Sequence, residues 1–180
     1  MIWESSFWKN ELEKIAAAIT RRCHHQRRWP EVALAKLERE VMIGSFIVRK
    51  LMDSNKITTV LSNSDVEISH YPFNGEHAPD HFNWHNIERF YDVESRSDSK
   101  LPLREVCNQL IHSFVFLPVL DETSRHLAGI LCSSDRRRYA YLYEIEAKKL
   151  VDVFHSVAIS YPTKMAASRG ANGQWKMESE

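Results

Sequence analysis

Apolar positions recur at steps of three and four along the first third of the chain. From Trp3 to Thr20 the residues Trp3, Phe7, Trp8, Leu12, Ile15, Ala16 and Ile19 fall on one face of an amphipathic helix. Pro30 stands where a helix can begin without losing a needed N–H, and Leu34, Leu37, Val41, Gly44, Val48 and Leu51 then step by three and four toward Asn55. This predicts a long second helix packed on the first. Between them RRCHHQRRW is polar enough for a turn or a frayed helix end.

From Ile57 the texture changes. ITTVL and VEISHY are short β-branched runs split by Ser62-Asn63-Ser64-Asp65, which predicts a hairpin or two edge strands. Residues 72–80 hold two prolines and a glycine and read as a loop, FNWHNIERFYDV as a short helix, and ESRSDSK (94–100) as a second loop. Pro102 opens a third helix whose apolar stripe runs Leu103, Val106, Cys107, Leu110, Ile111 and Phe114. FVFLPVLD, LAGILCSS and YAYLYEI are strand-like, and residues 146–159 form a last helix. The expected architecture is α+β and mostly helical, with long antiparallel helices, a later helix, and a small antiparallel sheet or hairpins. Residues 1–160 are expected to make one globular domain and 161–180 a flexible tail without periodicity.

Composition narrows the class. A hydrophobic content of 43% over 180 residues is enough for a real core, and 24 Lys+Arg against 24 Asp+Glu excludes a wholly basic nucleic-acid binder. Cys23, Cys107 and Cys132 are an odd count at wide spacings with no CxxC pair, which argues against a disulfide framework. No apolar run reaches a membrane span, and the acidic start is unlike a signal peptide, so a cytoplasmic chain with reduced thiols and no membrane contact is expected. Neutrality conceals segregation. Residues 21–50 hold eight basic and three acidic side chains, and residues 65–98 eight acidic and two basic, which suggests charge-complementary contact with a protein partner, a second copy (a homodimer) or a polyanion.

Three groups of residues could carry chemistry. Arg104, Asn108 and His112 recur at steps of four, roughly opposite the apolar stripe of the third helix. There a neutral imidazole can take a proton from a ribose 2′-hydroxyl while arginine and asparagine hold phosphate. The competing reading is a polar helix face packed on a neighbouring element. Arg21, Arg22, Arg27 and Arg28, and likewise Arg136, Arg137 and Arg138, are arginine clusters beside Trp29 and Tyr139, suited to phosphate contacts and base stacking, or to a solvated helix end and a hairpin turn. His77, His81 and His85 are of metal-ligating type, but Pro79 breaks helical spacing and no metal signature such as HExxH is present, so no metal is expected, a histidine site being the alternative. No Walker A, GxGxxG or GxSxG motif occurs, and no cofactor is expected.

The Asn108-x-x-x-His112 spacing, with a long second helix before it, resembles the HEPN superfamily of prokaryotic helical domains. In that family an arginine, often followed by asparagine, precedes a histidine by four to six residues. Asn108 and His112 match, Cys107 occupies the arginine position, and Arg104 lies outside the spacing. The resemblance implies a component of a prokaryotic defence or toxin-antitoxin type system that binds or cuts RNA without metal, with His112 as general acid/base and Asn108 and Arg104 orienting phosphate. The alternative is a non-catalytic interaction subunit of a larger assembly.

Overall fold

The computed structural model describes residues 2–25, 28–75, 77, 79–123, 125–169 and 175–180, without the side chains of 175–177. Helix α1 (Ser5–His24) starts where the Glu4 carboxylate accepts from the Ser6 N–H at 2.8 Å, and ends on Arg21, Arg22 and His24, cations suited to the negative pole of its dipole. Helix α2 (Glu31–Asp53) follows Pro30, and Leu37, Val41, Gly44, Val48 and Leu51 of its stripe are buried. The two helices run antiparallel, because Trp8 meets Phe46 at 6.5 Å between ring centroids while Arg22, at the other end of α1, bonds Glu40 at 2.5 Å.

ITTVL is not a strand. Thr58 caps a single helical turn, α3 (Thr59–Ser62), its hydroxyl accepting from the Leu61 N–H. Strand β1 (Asp65–Pro72) pairs instead with β2 (Ser97–Pro102), which overlaps the stretch 94–100 expected to be a loop. SDSK reads as loop because β2 is an edge strand whose side chains are largely solvated. A polar sequence satisfies such a position as well as an apolar one. The expected helix at FNWHNIERFYDV contracts to one 3₁₀ turn, Ile87–Arg89.

Helix α4 (Leu103–Ile111) is followed by a meander of β3 (Ser113–Leu120), β4 (Leu127–Ser134) and β5 (Tyr141–Glu146), and then by α5 (Ala147–Ile159). Phe114, assigned above to the apolar stripe of α4, belongs to β3. The five strands form one antiparallel sheet in the order β2-β1-β5-β4-β3. The expectation of a mostly helical chain with a small sheet is therefore corrected. About 43% of the described residues are helical and 27% are in strands. The extra strand content arises because β1 and β2, distant from the meander in sequence, join it through the β1–β5 pairing.

The sheet separates two cores by its period-2 alternation. Val66, Ile68, Phe116, Ile130, Cys132, Tyr143 and Ile145 face the helices and share a cluster with Leu12, Ile19, Leu110, Leu150 and Phe154. Val115 and Leu142 face the other way, under Phe90 and Tyr91 of the segment 73–91. That segment is fastened by an isolated bridge between Phe73 and Tyr91 and by the Tyr91 hydroxyl, which donates to Arg138 O at 2.9 Å. Residues after Tyr161, expected to lack regular structure, contain an antiparallel ribbon of β6 (Met165–Arg169) and β7 (Trp175–Ser179). The ribbon is held at Ser179, whose hydroxyl donates to Ile57 O at 2.8 Å. No helix among the described residues is long and apolar enough to cross a membrane.

Gly44 of α2 lies against Phe154 of α5, and a Cβ there would overlap the ring of this fully buried side chain. Gly44→Ala gains about 1 kcal/mol in helix propensity but overpacks a site that cannot yield, at about 1–3 kcal/mol, so a net loss of stability is expected in urea unfolding. Lys9 is only 1% exposed, donates to Ser160 O and lies 3.6 Å from the centroid of Tyr161. Burial, with a smaller contribution from Lys56, pulls its ammonium down to about 8 from an ordinary 10.5. Between those pH values the unfolded chain retains a proton that the folded chain has released, so the Lys9 contribution to stability rises with pH across that window. Urea midpoints of the wild type relative to Lys9→Met, taken from pH 7.5 to 10.5, should climb. A flat difference would show that Lys9 does not titrate in this range.

Candidate functional site

The C-terminal end of α4 and the turn between β4 and β5 enclose a cleft of about 720 Å³ lined by Glu105, Asn108, Gln109, His112, Ser134, Asp135, Arg136, Arg137 and Ala140. Two hydrogen bonds join its walls. The Ser134 N–H donates to the Gln109 Oε1 at 3.0 Å, and the Asp135 N–H to the His112 carbonyl at 3.2 Å. Gln109 is 1% exposed, and its Nε2 donates to Glu105 Oε1 at 2.7 Å, so this one side chain fixes both the acid on its own helix and the start of the turn. The turn is wound tightly, with the N–H groups of Arg137 and Arg138 both donating to Ser134 O at 2.9 Å.

His112 is not in the body of α4. The helix ends at Ile111, and His112 is its exposed C-cap, the N–H still donating to Asn108 O at 3.1 Å. Asn108 is held from both sides. Arg49 Nη1, on α2, donates to its Oδ1 at 2.7 Å, while its Nδ2 donates to Glu105 Oε2 at 3.3 Å. Arg104, at the other end of the same series, turns away to Asp53 on α2 with an N–O distance of 2.7 Å. It does not line the cleft. The structure thus brings Asn108 and His112 together and ties Arg104 into an exposed interhelix ion pair, of a kind worth about 0–1 kcal/mol.

Cys107 lies in the core, and burial pushes its thiol up to about 12. A cation at this position would not reach the cleft. The cations come instead from the β4–β5 turn, where Arg136 and Arg137 are exposed and make no ion pair among the described residues. Arg138 has a different part. It donates to Pro79 O at 2.8 Å, pairs with Asp135 at 3.3 Å and stacks 4.0 Å from the centroid of Phe114, fastening the segment 73–91 to the turn. Asp135 is therefore partly neutralised, leaving Glu105 and two unpaired guanidinium groups as the main charges of the cleft.

The remaining candidates lie elsewhere. Arg22 is buried on Glu40, Arg21 is exposed on the last turn of α1, and Arg28 is exposed in the connection to α2. Arg27 lies outside the described residues. Trp29 is no free stacking surface, because its Nε1 donates to Arg125 O at 2.9 Å and its ring packs on the core. His77, His81 and His85 do not converge. His81 lies against Phe114 and His85 against Trp84, and no group of three metal-ligating side chains occurs among the described residues.

Linear spacing did not reveal Glu105, Gln109, Ser134 or Arg49 as parts of this site. Arg49 lies 59 residues before Asn108, and only the packing of α2 on α4 brings it there. Neither a family model, nor a curated protein, nor a solved structure matches the chain. The site therefore stands on its own geometry. Replacing Gln109 by Leu preserves volume but leaves the Ser134 N–H buried without an acceptor, so a stability loss of about 1–3 kcal/mol is expected in chemical denaturation. A loss below about 0.5 kcal/mol would show that the turn does not depend on this bond.

Proposed function

We propose that the protein binds single-stranded RNA through phosphate groups seated in this cleft, with His112 placed to exchange a proton with a ribose 2′-hydroxyl. The observation that carries the reading is the convergence of two unpaired arginines, Arg136 and Arg137, with the exposed imidazole of His112 around one open cleft. Guanidinium groups bind phosphate oxygens in pairs of hydrogen bonds, and an imidazole near neutrality serves as base toward the 2′-hydroxyl and as acid toward the leaving 5′-oxygen. Asn108 has a positioning part: clamped by Arg49 and Glu105, it fixes the last turn of α4 from which His112 projects. The spacing of Asn108 and His112, similar to that in HEPN domains, supports the same substrate class and the setting of a prokaryotic defence or toxin-antitoxin type system.

Fluorescence anisotropy with a labelled RNA oligonucleotide tests binding. Replacing Arg136 and Arg137 together by Ala is expected to weaken affinity at least about tenfold at low salt, and to reduce the slope of log K against log salt by about 1.4, at about 0.7 per phosphate contact on a single strand. Unchanged affinity and slope would remove RNA from this cleft. In a cleavage assay with EDTA present, His112→Ala is expected to stop cutting while leaving binding and the melting temperature nearly unaltered. Cutting that persists in His112→Ala would strip His112 of its role.

A further inference from the structure

An aromatic shelf continues the α4 cleft along β5 and β1. His70 of β1 stands directly opposite Tyr143 of β5, and Tyr141, two residues before Tyr143, shares their face of the sheet. On the other side of β5, Cys132 of β4 stands opposite Tyr143, and Ser134, two residues on, lines the cleft. Cleft and shelf therefore lie on one face, the face that carries the helices. Tyr141 follows Ala140 of the cleft wall directly, and its N–H donates to the Arg137 carbonyl at 3.0 Å. Tyr139, beside the arginine triplet, is instead held against Phe73 of the second core and Arg138.

The rings of the shelf are fixed in orientation. His70 Nδ1 is hydrogen-bonded to Ser99 Oγ at 3.1 Å, and its ring meets Tyr141 edge to face, with centroids 4.9 Å apart and planes at 85°. Tyr143 is tilted against Tyr141 at 6.1 Å. Tyr141 is 37% exposed, whereas Tyr143 is only 6% exposed. The Tyr143 hydroxyl nonetheless makes no hydrogen bond among the described residues. The hydroxyls of Tyr71 and Tyr91, by contrast, are bonded to Glu144 and to Arg138 O. Burial pushes the Tyr143 phenol up, with Arg137 pulling it down and Glu105 adding to the rise, so the hydroxyl keeps its proton and feels two residues of the cleft lining. A buried hydroxyl left without a partner is costly, and a ligand that satisfies it recovers that cost.

We infer that this shelf is a nucleobase subsite, Tyr141 stacking on the base of a nucleotide whose phosphate lies on Arg137 and the Tyr143 hydroxyl bonding the edge of that base. The inference rests on the phosphate-binding reading of the cleft and adds what lies beside the phosphate. The side chains select the occupant. An apolar protein side chain would cover Tyr141 but leave the Tyr143 hydroxyl buried without an acceptor, and a bare phosphate would leave the exposed ring unused. A base offers a flat π face and acceptors on its edge, joined through the ribose to the group that guanidinium binds. Glu105 does not oppose the phosphate with a free charge, because its two oxygens accept from the Asn108 and Gln109 amides. His70 is a positioning residue that holds the Tyr141 ring from β1.

Two probes test it, homopolymeric RNA oligonucleotides followed by fluorescence anisotropy and free nucleoside 5′-monophosphates followed by NMR. Tyr141→Ala is expected to weaken RNA binding at least about fivefold and Tyr141→Phe to restore it, with an unaltered salt slope in both, because stacking releases no counterions. Tyr143→Phe keeps the ring and should narrow the differences in affinity among the bases. An abasic oligonucleotide should bind the wild type and Tyr141→Ala alike. If Tyr141→Ala has no effect while Arg136 and Arg137 still set the salt slope, the base subsite is overturned and the phosphate cleft stands. A base preference unchanged in Tyr143→Phe overturns the part given to that hydroxyl. Nucleotides that shift Tyr141 and Tyr143 in a protein that binds no RNA support the subsite and remove the RNA reading. Binding of neither probe overturns both.

Discussion

One short helix joins the two opposite edges of the sheet, and the rest of the molecule is arranged around that crossing. Strand β2 lies at one edge and β3 at the other, and the only chain between them is the nine-residue α4. Four strand spacings cover about 19 Å and nine helical residues rise about 13.5 Å, so α4 must lie across the sheet with almost no slack. Leu103, Val106, Cys107 and Leu110 are buried as it does so, against the sheet on one side and α2 on the other. The crossing explains why the helix stops at Ile111. Ser113 already pairs with Ser134, so a further turn of helix would cost the first bonds of β3.

The candidate site is a by-product of that stop. Where α4 ends, His112 is left exposed beside the turn that follows β4, and Gln109 bonds the turn to the helix from beneath. Burying an amide is costly unless its groups are satisfied, and both ends of Gln109 are engaged. The turn then presents Arg136 and Arg137 outward while Arg138 folds back under the segment 73–91. Three consecutive arginines, alike in sequence, divide into two groups available to a ligand and one committed to the fold.

Much of the helical part was legible because period 3.6 is a strong signal where one face is buried. The stripe of α2 is buried from Leu37 to Leu51, whereas that of α1 is buried only from Leu12 onward, Trp3, Phe7 and Trp8 staying exposed. Strands β3, β4 and β5 were legible from apolar runs between turn residues. The rest was hidden for physical reasons. Strand β2 is a solvated edge with no apolar alternation, and Thr58 converts a β-branched run into a capped turn. The step-of-four series Arg104, Asn108, His112 assumed a helix longer than the sheet allows, and gave no hint that Asp53 would take Arg104. Charge segregation along the chain also overstated polarity in space. Glu67 in the acidic segment is bonded by Lys149 from α5 at 2.7 Å, and Arg22 and Arg49 in the basic segment are paired with Glu40 and Asp53. What survives is local: two arginines at the cleft, Arg136 and Arg137, that make no ion pair among the described residues.

The claim that the end of α4 and the β4–β5 turn form a phosphate-binding cleft is most directly tested by heteronuclear NMR. In a titration of isotope-labelled protein with a short single-stranded RNA, the side-chain signals of His112, Arg136 and Arg137 and the amides of residues 108–112 and 134–137 should shift together and saturate with one affinity. Shifts confined to other surfaces, or none at these residues at saturating RNA, would contradict the account.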